Sequence, residues 1–364
     1  MAEQVLDRKG LFARQSDLVK AMRFPLIVVV VICHALIYSA HPMQPTATGE
    51  YAFYFFSELI SHNFGKIAVC WFFVFSGYFF FFNMKEELLW TKDGFAYKWK
   101  KRIRTLLVPY LAWNLIAVAA VAIKVFICNK LGVANDEGEL FSVKAGPLFW
   151  FITGPANFPL WYMRDLLILS VLAPVIYYFF KYLKIWGLVL LTLVYLSPWN
   201  PNMPGMRAIF FFGLGAYLGI FKINMLEICR KVKVPALILC IVLVIIATFL
   251  NFSKWHELAL RVFYPFGMIT FMNICDGLID NEARKNRLIG LASYVFFIYA
   301  AHEVYILGWT KGLIIRLIGD SLLAQFIGYL IVPVIVLAVC MILYRILNKI
   351  MPKALAFISG GSSK

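Results

Sequence analysis

The chain has 364 residues, of which 62% are hydrophobic and only 15% are charged, and its mean hydropathy is +0.79. This composition excludes a soluble globular protein and indicates a membrane protein with several spans. Apolar blocks of membrane length, and not alternating strands, predict an all-α, polytopic helical bundle. We interpret the net charge of +16 as a topology signal, so nucleic acid is not an expected partner.

Ten apolar blocks predict about ten transmembrane helices. They lie near residues 24–40, 66–83, 105–127, 159–180, 184–198, 206–222, 234–251, 258–277, 289–309 and 322–347. Most of the 35 Lys and Arg residues fall on the side of the N-terminus, which predicts that both termini are cytoplasmic. We expect a single domain over residues 1–364, with a polar N-terminal tail at 1–20 and a short polar C-terminal tail at 352–364.

The first block, "RFPLIVVVVICHALIYSA", carries a histidine among aliphatic residues. On an α-helix, Arg23 and His34 share one face and lie about 16.5 Å apart along the axis. An ionisable group in a span is a functional hypothesis by default, although a neutral core histidine bonded to a neighbouring helix is the alternative. A neutral imidazole is suited to remove a hydroxyl proton, so His34 is the first catalytic candidate. A coenzyme A thioester, with phosphates at one end, has the shape to contact both residues.

A basic run, "KWKKRIRTLLVPYLAWN", precedes the third predicted span on the same side as Arg23. Phosphates favour such clusters, particularly arginine, whose fork of donors pairs with two oxygens at once. Lys101, Arg102 and Arg104 are therefore candidates for binding the phosphates of a donor. The alternative is that these charges only anchor the topology or contact anionic lipid.

Two later spans also contain ionisable residues, in "LWYMRDLLIL" and "FFIYAAHEVYIL". Structural ion pairs inside the bundle are one interpretation. The functional interpretation is that these residues hold an acceptor or orient the catalytic imidazole, as a carboxylate commonly does. The catalytic candidate is Glu303, and the candidates for acceptor binding are Trp161, Arg164, Asp165 and His302.

Several common signatures are missing from the sequence. It has no GxGxxG, Walker loop, HExxH or GxSxG motif, so nucleotide hydrolysis, zinc hydrolysis and α/β-hydrolase chemistry have no support. The seven cysteines include no CxxC pair and lie mostly in apolar runs, where we expect buried small side chains. We expect no metal and no permanently bound cofactor.

The ordered set of motifs resembles acyltransferase family 3, bacterial membrane enzymes that O-acylate cell-surface sugars and related acceptors. Arg23 and His34 match the Arg-x10-His pair of the family's first span. "FFVFSGYFFF" is similar to its F-SG-F block, and "KKRIRTLLVPYLAWN" is similar to its basic stretch before a Pro-Tyr turn. "PLWYMRDLLIL", "FFFGLGAYLG" and "ASYVFFIYAAHE" resemble later helices of the family.

The resemblance implies a ten-helix core in a bacterial cytoplasmic membrane. It implies transfer of an acyl group, usually acetyl, from cytoplasmic acyl-CoA to a hydroxyl of an extracytoplasmic or lipid-linked carbohydrate. On that pattern His34 is the catalytic residue, and Arg23 is its partner in the catalytic set and helps to bind or position the donor. General-base catalysis and an acyl-histidine intermediate both stay open, as does a homo-oligomer.

Two functions without acyl transfer stay as alternatives. A secondary transporter would use His34, Arg164 and Glu303 as a relay, and a glycolipid flippase would move its substrate without chemistry. The sequence shows no repeat of two halves and no paired broken helices, which speaks against a transporter. Consumption of a thioester would distinguish the enzyme from both alternatives.

Overall fold

The computed structural model describes residues 2–36, 48–133, 146–152 and 154–361, which form helices and no β-strand. The first half contains α1 (Ala2–His34), α2 (Thr48–Ser57), α3 (Ile67–Phe81), α4 (Phe95–Arg102), α5 (Val108–Leu131), α6 (Pro147–Ile152), α7 (Trp161–Val171) and α8 (Ala173–Leu196). The second half contains α9 (Met206–Ile220), α10 (Met225–Lys231), α11 (Lys233–Phe249), α12 (His256–Leu278), α13 (Glu282–Leu291), α14 (Val295–Ala301), α15 (Leu307–Ile318), α16 (Leu322–Ile350) and α17 (Pro352–Ile358). The predicted all-α class is confirmed for these residues.

Helix α1 corrects two sequence-based boundaries. The expected polar tail at 1–20 is the first part of a 33-residue helix that continues through the apolar block. The later part of this segment packs into the bundle, because Leu18 is fully buried and the Gln15 amide donates to the Tyr78 hydroxyl at 3.0 Å. The helix ends at His34, six residues before the end of the predicted span. His34 therefore closes a helix instead of lying inside one.

Helices α3 and α9 pack closely because glycines face the partner backbone. A Cβ atom added at Gly77 would lie 2.1 Å from the Phe212 carbonyl oxygen, and one at Gly215 would lie 2.1 Å from the Val74 carbonyl oxygen. Small residues let two helix backbones approach each other in this way inside a membrane. The segments "FSGYFF" and "FFFGLGAYLG" therefore form one rigid pair at the centre of the bundle.

Six helical segments of the described chain are long and apolar enough to span a membrane. They are Gly49–Phe81, Phe95–Leu131, Ala173–Leu196, His256–Leu278, Glu282–Ile318 and Leu322–Ile350. A bent pair, Met206–Ile220 with Met225–Lys231, turns by 106° and would make a seventh. A multi-pass membrane protein is thus supported, whereas the count of ten spans stays a prediction.

Other boundaries differ from the predicted blocks for local reasons. The block at 159–180 breaks at Leu172, between α7 and α8, because Pro174 lacks an N–H and its ring clashes with the preceding turn. The expected break before residue 184 is present, since Lys184 leaves the helical conformation with a φ of 47°. The expected C-terminal tail contains helix α17, whose Ile358 carbonyl accepts a bond from the Trp113 indole at 2.9 Å.

Segments predicted for the cytoplasmic side contact one another at one end of the bundle. Asp276 accepts hydrogen bonds from Arg14 of α1 and from Arg230 of α10, each at 2.7 Å. Lys181 pairs with Glu86 in the same way, across two further predicted cytoplasmic segments. The loops that the sequence assigns to one side therefore lie together.

Candidate active site

His34 and Glu303 meet at the end of α1. The His34 Nδ1 atom lies 3.0 Å from the Glu303 Oε1 atom, and the two side chains are 28% and 26% exposed. A carboxylate at this distance fixes Nδ1–H as the donor and leaves Nε2 as the free base of the imidazole. Two of the three catalytic residues predicted from the sequence are thus joined by a contact across 269 positions of the chain.

The segment that carries Glu303 is a deformed helix. Residues His302–Ile306 form a π-helical turn between α14 and α15, and the backbone leaves the helical region at Val304 and Tyr305. Such turns are rare and often mark functional sites. The turn directs Glu303 towards α1 and places His302 behind it.

His302 is fully buried, and its ring centroid lies 5.4 Å from that of His34. Its Nδ1 atom lies 2.9 Å from the carbonyl oxygens of both Ile298 and Tyr299, so this nitrogen carries the proton. Its Nε2 atom is buried and has no hydrogen-bond partner in the parts of the chain that the structure describes. The acceptor-binding role predicted for His302 remains a prediction, and the residue lies behind the His34–Glu303 pair.

A short loop before α7 passes over His34. The Phe158 ring lies edge-on to the imidazole, with centroids 6.3 Å apart, and Phe158 is exposed on its other side. The loop is fixed to α14, because Asn157 Nδ2 donates to a backbone carbonyl there at 2.8 Å and the Tyr299 hydroxyl donates to the Pro159 carbonyl at 2.5 Å. The loop therefore borders the site and is held by the helix that precedes Glu303.

Three predicted acceptor-binding residues lie on α7. Arg164 donates two hydrogen bonds to Asp165 Oδ1, at 3.1 and 3.0 Å, and both side chains are buried. The other oxygen of Asp165 accepts the Gly205 N–H at 3.1 Å. Trp161 is half-buried, 6.3 Å from the Phe73 ring. The ion pair that the sequence offered as an alternative is thus present, while acceptor binding by these residues stays a prediction.

Two of the predicted donor-binding arginines lie within electrostatic range of one tyrosine. Arg23 and Arg102 both act electrostatically on the Tyr162 hydroxyl. Arg102 Nη2 donates to the Ser76 hydroxyl at 2.8 Å, and its guanidinium lies 5.6 Å from the centre of the Phe80 ring. Neither arginine has an ion pair with a carboxylate in the described residues, so both positive charges are free to bind an anion.

The other two predicted donor-binding residues, Lys101 and Arg104, are more exposed than Arg102. Both side chains are exposed, whereas Arg102 between them is half-buried against α3. The change of direction falls where α4 passes into the π-helical turn Ile103–Leu107. Lys101 and Arg104 therefore sit at the surface beside the inward-pointing arginine, which is compatible with phosphate binding and with lipid contact.

The cluster of His34, His302 and Glu303 meets the geometric requirement for a metal ion. One ligand atom from each of His34, His302 and Glu303 lies within 4.8 Å of the others. The expectation that the protein binds no metal therefore stays a prediction. The 3.0 Å contact between His34 and Glu303 is a hydrogen-bond distance, which favours a proton-transfer pair.

Sequence reasoning did not select several residues that shape the site. Phe158, Tyr162 and Tyr299 are aromatic residues in the segments "NFPLWYM" and "FFIYAAHE", and Asn157 is a loop amide. Single aromatic residues in a chain with 17% aromatic content carry no signal of their own. Their proximity depends on how α7 and α14 pack.

The fold and site define a class: a multi-pass helical membrane protein with a histidine–carboxylate pair and with arginines that have no carboxylate partner in the described parts of the chain. Residues 18–345 match the family described as acyltransferase domain, so the chain belongs to acyltransferase family 3. It is a membrane acyltransferase, as the resemblance of its motifs indicated.

A similar protein is the succinoglycan biosynthesis protein ExoH of Rhizobium meliloti (strain 1021). The two are 25% identical over 276 residues, which cover 72% of this chain and 71% of that protein. No solved structure gives a significant match to the chain.

Proposed function

We propose that the protein transfers an acyl group, acetyl in the first instance, from cytoplasmic acyl-CoA to a hydroxyl of an extracytoplasmic or lipid-linked carbohydrate. The observation that carries the proposal is the contact of His34 with Glu303 in a chain of this family. The name of the similar protein, which refers to succinoglycan biosynthesis, supports a polysaccharide acceptor. The proposed location is the bacterial cytoplasmic membrane, with one domain, about ten spans and both termini inside.

The donor binds from the cytoplasmic end in this proposal. Arg23 and Arg102 both lie within electrostatic range of Tyr162 and carry no ion pair with a carboxylate in the described chain. Phosphates of CoA pair with them, and the exposed Arg104 and Lys101 extend the basic surface. The pantetheine arm then follows the α1 face from Arg23 towards His34.

The chemistry requires one base at the far end of that arm. Glu303 holds Nδ1 of His34, so Nε2 accepts the proton of the acceptor hydroxyl. The hydroxyl oxygen attacks the thioester carbonyl, a C–O bond forms, and the C–S bond breaks. His34 returns the proton to the departing CoA thiolate. An acyl-histidine route uses the same residue as the nucleophile in two successive transfers.

The alternatives without chemistry use the same residues. A transporter or flippase would employ His34, Arg164 and Glu303 as a relay of buried charges. Arg164, however, pairs with its neighbour Asp165, and no contact joins Arg164 to His34 or Glu303 in the described chain. Acyl transfer is therefore the better supported function.

Release of CoA thiol from acetyl-CoA tests the proposal, with the purified protein in nanodiscs and a crude glycan extract as the acceptor. We expect thiol release by the parent, no release above background by His34→Ala, and a fall of kcat by roughly 100-fold or more in Glu303→Gln, because misorienting the base removes much of its effect. The KM for acetyl-CoA stays unchanged in Glu303→Gln, since the carboxylate does not contact the donor phosphates.

The matched control is Glu86→Gln, which removes a carboxylate from an exposed ion pair with Lys181. It retains the parent rate. A folded His34→Ala protein that releases thiol as fast as the parent contradicts the catalytic assignment. Dialysis of the parent against a chelator leaves the rate unchanged if the site works without a metal, and loss of activity restored by a divalent cation would show a metal site instead.

A further inference from the structure

Two basic side chains, Lys66 and Arg207, meet inside the bundle beside α1 and have no role in the mechanism above. Lys66 ends the short helical turn Phe64–Lys66 before α3, and Arg207 lies in the first turn of α9. Helices α3 and α9 run parallel, since a Cβ atom at Gly215 would meet the Val74 carbonyl and one at Gly219 would meet the Tyr78 carbonyl. Continued to the starts of the two helices, this register sets Lys66 level with Arg207. The two cations therefore lie close together, although α3 and α9 come from distant parts of the chain.

This pair is adjacent to the catalytic residue. Cys33 directly precedes His34, and Gly65 directly precedes Lys66. A Cβ atom added at Gly65 would lie 2.1 Å from the Cys33 sulfur, so the two backbones touch here. The pair thus lies against the end of α1 that carries the proposed base.

Neither cation is neutralised by an ion pair in the described residues. The two carboxylates that act on Lys66 have other partners: Glu257 lies 3.1 Å from Arg261, and Glu58 lies 2.7 Å from His62. By contrast, Arg14, Arg164 and Arg261, which are also half-buried or buried, have carboxylate partners. The Nε atom of Arg207 is buried and has no partner among the same residues.

The position of Lys66 and Arg207 shows that they do not serve to orient the protein in the membrane. In the proposed orientation both residues lie towards the extracytoplasmic side, where the positive-inside rule does not place basic residues. Two like charges within electrostatic range destabilise the bundle unless an anion offsets them. Both side chains keep some exposed area, so neither is sealed inside the core.

We infer that Lys66 and Arg207 form a binding site for an anionic group of the acceptor, such as the carboxylate of an acidic sugar or the phosphate of a lipid-linked glycan. The inference rests on the proposed function, because it assigns the acceptor side of the same active site. The anion anchors the glycan on the extracytoplasmic side of His34 and brings a nearby hydroxyl to Nε2. The site therefore selects acidic over neutral acceptors.

The binding test uses the purified protein in nanodiscs without any acyl donor. Three probes are compared: an oligosaccharide with a uronic acid, its carboxyl-reduced neutral form, and the same neutral oligosaccharide on a prenyl phosphate. We expect the parent to bind one or both anionic probes at least 10-fold more tightly than the neutral one. Lys66→Gln and Arg207→Gln remove that preference, and the probe that loses affinity identifies the anion.

The control variant is Lys254→Gln, an exposed cation in the loop before α12, which keeps the preference. Binding of acetyl-CoA at the parent affinity verifies that each variant is folded. Equal affinity of the parent for all three probes, or an unchanged preference in both variants, overturns the inference. Because binding is measured without a donor, the result does not depend on acyl transfer. The binding result can therefore be interpreted even if the thiol-release assay shows no activity.

Discussion

At His34 and Arg102, the chemical role of each side chain depends on the groups that it contacts. Both are ionisable residues in apolar surroundings, yet His34 bonds a carboxylate, whereas Arg102 bonds only the neutral Ser76 in the described residues. A histidine held by a carboxylate is prepared to accept a proton at its other nitrogen. An arginine without an ion pair is prepared to bind an anionic ligand. The two side chains thus fit the base and the donor-binding role.

Arg102→Gln is expected to weaken donor binding through the CoA phosphates alone. The KM for acetyl-CoA rises roughly 10- to 100-fold, because a charge-assisted hydrogen bond contributes about 1.5–3 kcal/mol. The KM for S-acetyl-N-acetylcysteamine, which carries the thioester without phosphates, stays at the parent value. Steady-state kinetics with both donors measure the difference.

The matched control for this prediction is Lys101→Gln, at the exposed neighbouring position. It raises the KM for acetyl-CoA less than Arg102→Gln does, since its side chain points away from α3. If Arg102→Gln raised the KM of both donors equally, Arg102 would only support the fold through its bonds to Ser76.

At the scale of elements, the site depends on the end of one helix and a distortion in another. Helix α1 ends at His34, and the π-helical turn His302–Ile306 faces it. The loop at Asn157 is tied to the same region by hydrogen bonds to α14. A deformed turn held on both sides positions Glu303 more firmly than a free loop would.

The closest helix pair, α3 with α9, gives a stability prediction. Gly215→Ala places a methyl group 2.1 Å from the Val74 carbonyl oxygen, so the two backbones must separate. We expect a loss of about 1–3 kcal/mol, the usual effect of overpacking, and a thermal unfolding midpoint lowered by several degrees in detergent. Intrinsic tryptophan fluorescence during heating measures the midpoint.

Gly312→Ala in α15 is the control, because nothing lies within 4 Å of its added Cβ. It leaves the midpoint unchanged or raises it, since alanine is favoured over glycine in a helix interior. A Gly215→Ala midpoint equal to that of the parent would mean that the contact between α3 and α9 does not contribute to stability.

For the whole molecule, the contacts between segments divide them into the same two sides that the distribution of charge predicts. The segments near Arg14, Arg230 and Asp280, all assigned to the cytoplasmic side by the positive-inside rule, meet at one end of the bundle. The segments near Ser197 and Arg261, assigned to the other side, are joined by a 2.6 Å hydrogen bond. A donor entering at one end and an acceptor at the other fits this arrangement.

Cysteine labelling in spheroplasts tests the orientation. With Cys128 replaced by serine, Lys254→Cys is expected to react with a membrane-impermeant maleimide from outside. Lys101→Cys is expected to react only after the membrane is permeabilised, because the proposed orientation places it on the cytoplasmic side. Labelling of Lys101→Cys in intact spheroplasts would invert the proposed topology and place the basic donor surface away from cytoplasmic acyl-CoA.

The sequence by itself determined the class and the main candidates. Its hydropathy determined a helical membrane protein, because each span must satisfy its own backbone hydrogen bonds in lipid. The Arg23–His34 spacing and the later motifs determined the family, which the match over residues 18–345 confirms. These signals are local, so they can be recognised in one chain.

Tertiary structure decided which residues act together. Glu303 approaches His34 only because the turn that follows α14 faces the end of α1. Arg102 of α4 acts on the same tyrosine of α7 as Arg23 of α1 only because the bundle brings these helices together. Lys66 and Arg207 are ordinary basic residues in the sequence and become a pair only when α3 and α9 come together. Contacts between distant segments arise from packing, which no local pattern encodes.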